Sequence, residues 1–91
     1  MRTDQTAVYD TLAEILRDVA EVPVELIAPD KWVEEDLGID SLTMVEVAVV
    51  AERRFGISVP DERLADFLTV ADLAEYVEAA LAADQGSGAV G

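Results

Sequence analysis

Apolar residues recur at helical spacing in three separate stretches of the chain, and Pro, Gly and acidic residues punctuate the intervals between them. In the first stretch Val8, Leu12, Ile15, Leu16 and Val19 form one stripe, while Tyr9, Asp10, Glu14, Arg17 and Asp18 lie mostly on the other side. This predicts an amphipathic helix with a solvated face, opened by Thr3 or Asp4 as N-cap. From Glu21 to Asp40 no period persists, and Pro23, Pro29 and Gly38 interrupt the run. A long loop is therefore expected, with room for one short helical turn. Val24, Leu26, Ile27, Trp32, Val33, Leu37 and Ile39 give it apolar anchors to the core.

The second stretch, Ser41 to about Phe55, is apolar nearly all round, as a helix that is buried or shared with a partner would be. At about 100° per residue, with Phe55 turned inward, Met44, Val47, Ala48 and Ala51 fall on the core side. Leu42, Val45 and Val49 then share the far side, flanked by Glu46, Glu52 and Arg53. An apolar patch rimmed by charge is the expected shape of a docking surface. Gly56 follows as a left-handed terminator. Ile57-Ser58-Val59 alternates but has no second strand to pair with, so it reads as an extended connector. Pro60 opens a short element from Asp61 to about Asp66, with Leu64 and Phe67 closing one side of the core. In the third stretch Thr69 and Asp72 match a capping box before Val70, Leu73, Val77, Ala80 and Leu81. That helix should end near Ala83.

The elements predict an all-α antiparallel bundle of four helices, three main and one short, with the long loop between the first and second. Residues 3–84 form a single domain in this reading, and 85–91, rich in Gly, Ser and Ala, a disordered tail.

Charge narrows the partners. Six basic against twenty acidic residues give a formal net charge of −14 in 91 residues. Nucleic acid and anionic membrane are excluded as partners on this ground, and proteins with basic patches are favoured. Hydrophobic residues make up 52% of the chain, which opposes disorder in its body. The absence of Cys and His excludes disulfides, Cys/His metal sites and Ser-His or Cys nucleophilic chemistry within the chain. The acids between Asp30 and Asp40 lack the ligand spacing of an EF-hand, so no metal site is expected there. Residues 1–20 lack the pattern of a signal peptide, and no apolar run is long enough to span a bilayer, so a cytoplasmic location is expected.

Candidate chemistry centres on Asp36-Leu37-Gly38-Ile39-Asp40-Ser41-Leu42. Asp40 is a favourable N-cap, which puts the Ser41 hydroxyl in the first turn of the second helix, facing out. Unpaired N–H groups and the helix dipole would favour a phosphate ester there. The bland reading is that Asp40 and Ser41 only cap the helix.

D-L-G-I-D-S-L and the following Thr43-Met44-Val45-Glu46-Val47-Ala48 resemble the phosphopantetheine attachment site of acyl carrier proteins. With the upstream helix and loop, Phe55-Gly56-Ile57, Val59-Pro60-Asp61 and the helix near Thr69-Val70, the resemblance covers roughly residues 5 to 82. It implies an acyl-carrier-like bundle that is a carrier and has no catalytic residues. The cofactor would be 4′-phosphopantetheine, moved from coenzyme A to Ser41 by a phosphopantetheinyl transferase, with Asp40 and Leu42 completing the motif. Acyl intermediates would ride on its thiol as thioesters. Asp36 and Asp40 oppose the phosphodiester, so the arm should project outward.

Ketosynthase, acyltransferase and other synthase enzymes with basic patches are the implied partners of a monomer, meeting Leu42, Val45, Glu46, Val49, Glu52 and Arg53. An acyl pocket, as the family often has, would lie among Val47, Ala48, Ala51, Leu64 and Phe67, where a close-packed core is the other reading. The sequence departs from the family pattern at Thr43, often acidic; at Arg53-Arg54, often acidic; and at Val33, where an aromatic is usual and Trp32 stands beside it. The run Thr43–Val49 looks like discrete fatty-acid carriers of actinobacteria, and polyketide carriers share fold and serine. The initiating Met and the lack of flanking linkers favour a free-standing protein. Two other readings stay open: a peptidyl or aryl carrier of nonribosomal synthesis, and an unmodified acidic bundle that docks a basic partner.

Overall fold

Backbone is described for residues 5–90 of a computed structural model and side chains for residues 7–83, so the expected caps Thr3 and Asp4 lie outside the described residues. The first helix, α1, spans Gln5–Ala20 and sends Val8, Leu12, Ile15 and Leu16 into the core. Each fully buried aliphatic of this kind contributes about 1.5–3 kcal/mol. α1 stops where Glu21 takes a left-handed conformation with φ 58° and the Val22 N–H donates back to the Leu16 carbonyl at 3.3 Å. Val22 then turns inward and is buried.

The long loop is held differently from expectation. A single 3-10 turn, Val24–Leu26, buries none of its residues, and Val24, Leu26 and Trp32 are exposed. Of the seven expected anchors only Val33 and Ile39 are buried, with Ile27 and Leu37 packed partly against the core. Backbone hydrogen bonds to the start of the last helix do the rest. The Val33 N–H donates to the Leu68 carbonyl at 2.9 Å, Val70 to Lys31 at 3.0 Å and Ala71 to Pro29 at 2.9 Å. Trp32 and Thr69 form an isolated antiparallel bridge, and among the described residues there is no strand. The loop then coils on itself, with the Gly38 N–H donating to Glu34 and Ile39 to Val33, both at 3.0 Å. Gly38 closes this coil at φ 69°, a conformation that a side chain would strain.

The second helix, α2, spans Ser41–Phe55 and buries Met44, Val47, Ala48 and Ala51, the face expected from their spacing. Gly56 ends it at φ 69°, ψ 38°, and the Ile57 N–H reaches back to the Glu52 carbonyl at 3.1 Å. A 3-10 helix, Asp61–Asp66, follows as the short fourth element. The last helix, α3, is opened by a reciprocal capping box. Asp72 Oδ2 accepts from the Leu68 and Thr69 N–H groups, both at 3.0 Å, and the Asp72 N–H donates to Thr69 Oγ1 at 3.2 Å.

α3 spans Val70–Val90 and so passes the end expected near Ala83. Ala79 to Ala83 favours continuation, and each later Gly costs a helix only about 1 kcal/mol against Ala. The side chains of the expected tail lie outside the described residues. The result is an all-α bundle of three main helices and one short helix. α1 packs against both other long helices, and α2 packs against the short one.

Candidate functional site

Ser41 is the first residue of α2 and is exposed. Asp40 precedes it in extended conformation, and its Oδ1 accepts the Thr43 N–H at 2.8 Å. The Thr43 N–H, then the Thr43 hydroxyl, hold the Asp40 carboxyl below its ordinary value. Capping therefore rests on Asp40 alone. No hydrogen bond engages the Ser41 hydroxyl among the described residues, and the capping contact expected at this turn is made by Asp40. Thr43, one of the departures from the family pattern, has its place here as donor to the cap. The other nearby acid, Asp36, turns back on its own loop, where Oδ2 accepts the Trp32 N–H at 2.8 Å.

A cleft of about 470 Å³ opens beside Ser41. The long loop supplies Trp32, Val33 and Ile39, and the segment after α2 supplies Leu64, Phe67 and Leu68. Met44 lines it from α2, with Asp40 and Ser41 beside it and Glu34, Glu35 and Asp61 adding acidic groups.

Its position differs from the pocket expected among Val47, Ala48, Ala51, Leu64 and Phe67. Leu64 and Phe67 line the cleft, but Val47, Ala48 and Ala51 do not and are buried in the core. Val47, Ala48 and Ala51 belong to the same buried cluster as Val8, Leu12, Ile15 and Leu16 of α1, the helix that packs on α2. The cleft lies at the Ser41 end, where loop and short helix meet α2. Sequence reasoning missed Trp32, Ile39, Met44 and Leu68 as lining residues. Only Trp32, an aromatic in an acidic loop, carried a signal, because the backbone pairing that brings it beside Leu68 has no sequence pattern.

On the outer face of α2 Leu42 is 77% exposed and Val45 and Val49 are 41% exposed, with Glu46 and Arg53 exposed beside them. Glu52, expected in this group, is half-buried, and its Oε2 accepts the Val59 N–H at 2.7 Å. It is turned to the connector because that connector passes the end of the helix with an otherwise unpaired amide. Arg54 pairs with Glu14 of α1 at 2.8 Å, which leaves Arg53 as the cation on this face.

Among the described residues no helix is long and apolar enough to cross a membrane. A small helical bundle that presents one unengaged serine hydroxyl at the head of an exposed apolar helix, beside a cleft, is the arrangement of a carrier domain. The family model for the phosphopantetheine attachment site matches residues 10–77. The acyl carrier protein of Thermobifida fusca is 42% identical over 78 residues, covering 86% of this chain and 99% of that protein. That of Acidothermus cellulolyticus is 39% identical over 77 residues, 85% of this chain and 92% of that one. A meromycolate extension acyl carrier protein of Mycolicibacterium aurum is 40% identical over 78 residues, 86% and 80% of the two chains.

The chain belongs to the acyl carrier protein family, with an actinobacterial-like sequence, and its cofactor is 4′-phosphopantetheine. Its relatives are carriers rather than catalysts. The site fits such a group, since an exposed hydroxyl without a hydrogen-bond partner among the described residues stands at a helix start and beside a cleft with apolar lining.

Proposed function

We propose that Ser41 is the residue that carries the phosphopantetheine, and that the protein conveys acyl intermediates as thioesters between the enzymes of a type II synthase. The observation that carries this reading is the free, exposed Ser41 hydroxyl at the head of α2 with the cleft opening beside it. In loading, Ser41 Oγ forms the new bond to phosphorus, the adenosine bisphosphate half of coenzyme A leaves, and the serine proton passes to the transferase. The start of α2 favours the resulting phosphodiester through its dipole. The bound group supplies the thiol that this Cys-free chain lacks.

Leu42, Val45, Glu46, Val49 and Arg53 meet the transferase, ketosynthase, acyltransferase and other basic-patched enzymes, and the protein does so as a monomer in the cytoplasm. The acyl chain shelters in the cleft between Met44, Leu64 and Phe67, whose volume lies within the ~300–1,000 Å³ range of small-ligand sites. Fatty-acyl extension is favoured over polyketide assembly by the relatives named for meromycolate extension.

Intact mass after incubation with a promiscuous transferase and coenzyme A tests the assignment. Wild type should gain a single phosphopantetheine and Ser41→Ala none. Loading that persists in Ser41→Ala, or folded wild type that gains nothing, would overturn it.

A further inference from the structure

The cleft's outer side is built from a segment with little core of its own. Asp61–Asp66 is a 3-10 helix with no buried residue, yet Asp61, Leu64 and Ala65 line the cleft together with Phe67 just beyond it. Short 3-10 helices have poorer hydrogen-bond geometry, and elements with few buried contacts open at low free-energy cost. Beyond the packing of the short helix on α2, side chains from two long helices hold this segment. From α2, Glu52 takes the Val59 N–H at 2.7 Å.

From α3, one side chain reaches three points along it. The Tyr76 hydroxyl donates to the Ser58 carbonyl at 2.7 Å. The Arg63 guanidinium stands over the Tyr76 ring at 5.4 Å, a cation–π contact in the middle of the short helix. The Phe67 ring meets it edge to face at 5.3 Å and 64°. Tyr76 thus touches the segment once before the part that lines the cleft and twice within it, while its own helix is packed on α1.

We infer that Tyr76 is a positioning residue that clasps the 58–67 segment and so sets how far the cleft opens to an acyl chain. The inference rests on the reading that the cleft shelters that chain. The clasp separates into two parts. The hydroxyl fixes the connector at Ser58, and the ring fixes Arg63 and Phe67. Removing the hydroxyl loosens one margin and leaves the ring contacts in place. Removing the guanidinium frees the middle of the short helix and disturbs no buried residue, since Arg63 is exposed.

The test uses Tyr76→Phe and Arg63→Gln in the full chain, in the apo form and loaded with octanoyl-phosphopantetheine. In the apo form, amide hydrogen exchange within 58–67 should rise about three- to tenfold in Tyr76→Phe, the net worth of one hydrogen bond read as an opening constant. The amides of Leu12 and Leu16 in α1 should not change. In the octanoyl form, wild type should show chain-dependent shifts of the Met44 methyl and the Phe67 ring. Both variants should reduce those shifts and speed thioester cleavage by hydroxylamine several-fold.

Equal increases in exchange at α1 and at 58–67, or none, would overturn the clasp. Shifts and cleavage rates identical in wild type and both variants would also overturn it, with the cleft reading intact. Wild-type Met44 and Phe67 signals that do not respond to the octanoyl chain would sink the cleft reading itself, and the clasp's role with it.

Discussion

Glu21 offers a prediction in which backbone and charge can be separated. It ends α1 at φ 58° and is the one non-glycine residue with positive φ among the described residues. A left-handed conformation costs a residue bearing Cβ about 1–2 kcal/mol. Glycine removes that cost but brings back about 0.5–1 kcal/mol through the freedom it adds to the unfolded chain. The net backbone gain for Glu21→Gly is about 0.5–1 kcal/mol. A second contribution comes from the carboxylate, which sits at the negative end of the α1 dipole. Removing it gains about 0.3 kcal/mol for an exposed group at low salt.

The total is roughly 1 kcal/mol, or a rise in Tm of about 4–8 °C for a domain of this size. Glu21→Gln isolates the charge, since it keeps Cβ and the strained backbone. Thermal unfolding followed by far-UV circular dichroism should rank the glycine variant above the glutamine variant, and both above wild type. At about 1 M salt, where the screening length falls to ~3 Å, the glutamine gain should vanish and the glycine-minus-glutamine difference should remain. If that difference were absent, or vanished with salt, the left-handed strain assigned to Glu21 would be wrong.

Two further outcomes follow from the site. Asp40 has its pKa lowered from 3.8 by the Thr43 N–H and hydroxyl, so its charged form adds stability that is complete above that value and lost as pH falls through the lower folded value. Asp40→Asn keeps a capping oxygen and loses this dependence. The Tm gap between wild type and variant should therefore be constant near neutrality and close as the solution is taken well below pH 4, and a gap that stayed constant into acid would refute the linkage. Glu46 stands exposed on the apolar face of α2 between Val45 and Val49. Glu46→Lys should slow association with a basic synthase partner such as a ketosynthase by roughly two- to tenfold at low ionic strength and much less at high salt. Stopped-flow rates equal to wild type at low salt would place docking elsewhere.

Where burial follows from periodicity, the sequence was a sufficient guide. The inward set Met44, Val47, Ala48 and Ala51 and the outward set Leu42, Val45 and Val49 follow from a rotation of about 100° per residue. The Thr69/Asp72 capping box, the Asp40 cap and the Gly56 terminator were likewise legible, because each joins residues no more than five apart and depends on local chemistry alone.

What could not be read were the partners of residues far apart in the chain. Glu52 looks in sequence like part of an exposed charged face, yet it receives an amide seven positions on. Arg54 looks like a free cation and is tied to a glutamate forty positions back. Trp32 looks like a core anchor and instead stands exposed beside the cleft, because backbone pairing between residues 29–33 and 68–71 holds the loop without needing its side chain inside.

The cleft itself is the clearest case. Its apolar residues are ordinary core types, and no spacing distinguishes those that line a void from those that fill one. Volume between elements is decided by how closely backbones approach. α1 packs on α2 in the core, and the loop and short helix meet the Ser41 end of α2 around the cleft. The sequence by itself determined the helices, their inward faces and the serine at the head of α2, since these obey rules of short range. Only the tertiary structure decided that space is left beside that serine, and that Tyr76 reaches across from α3 to hold its far side.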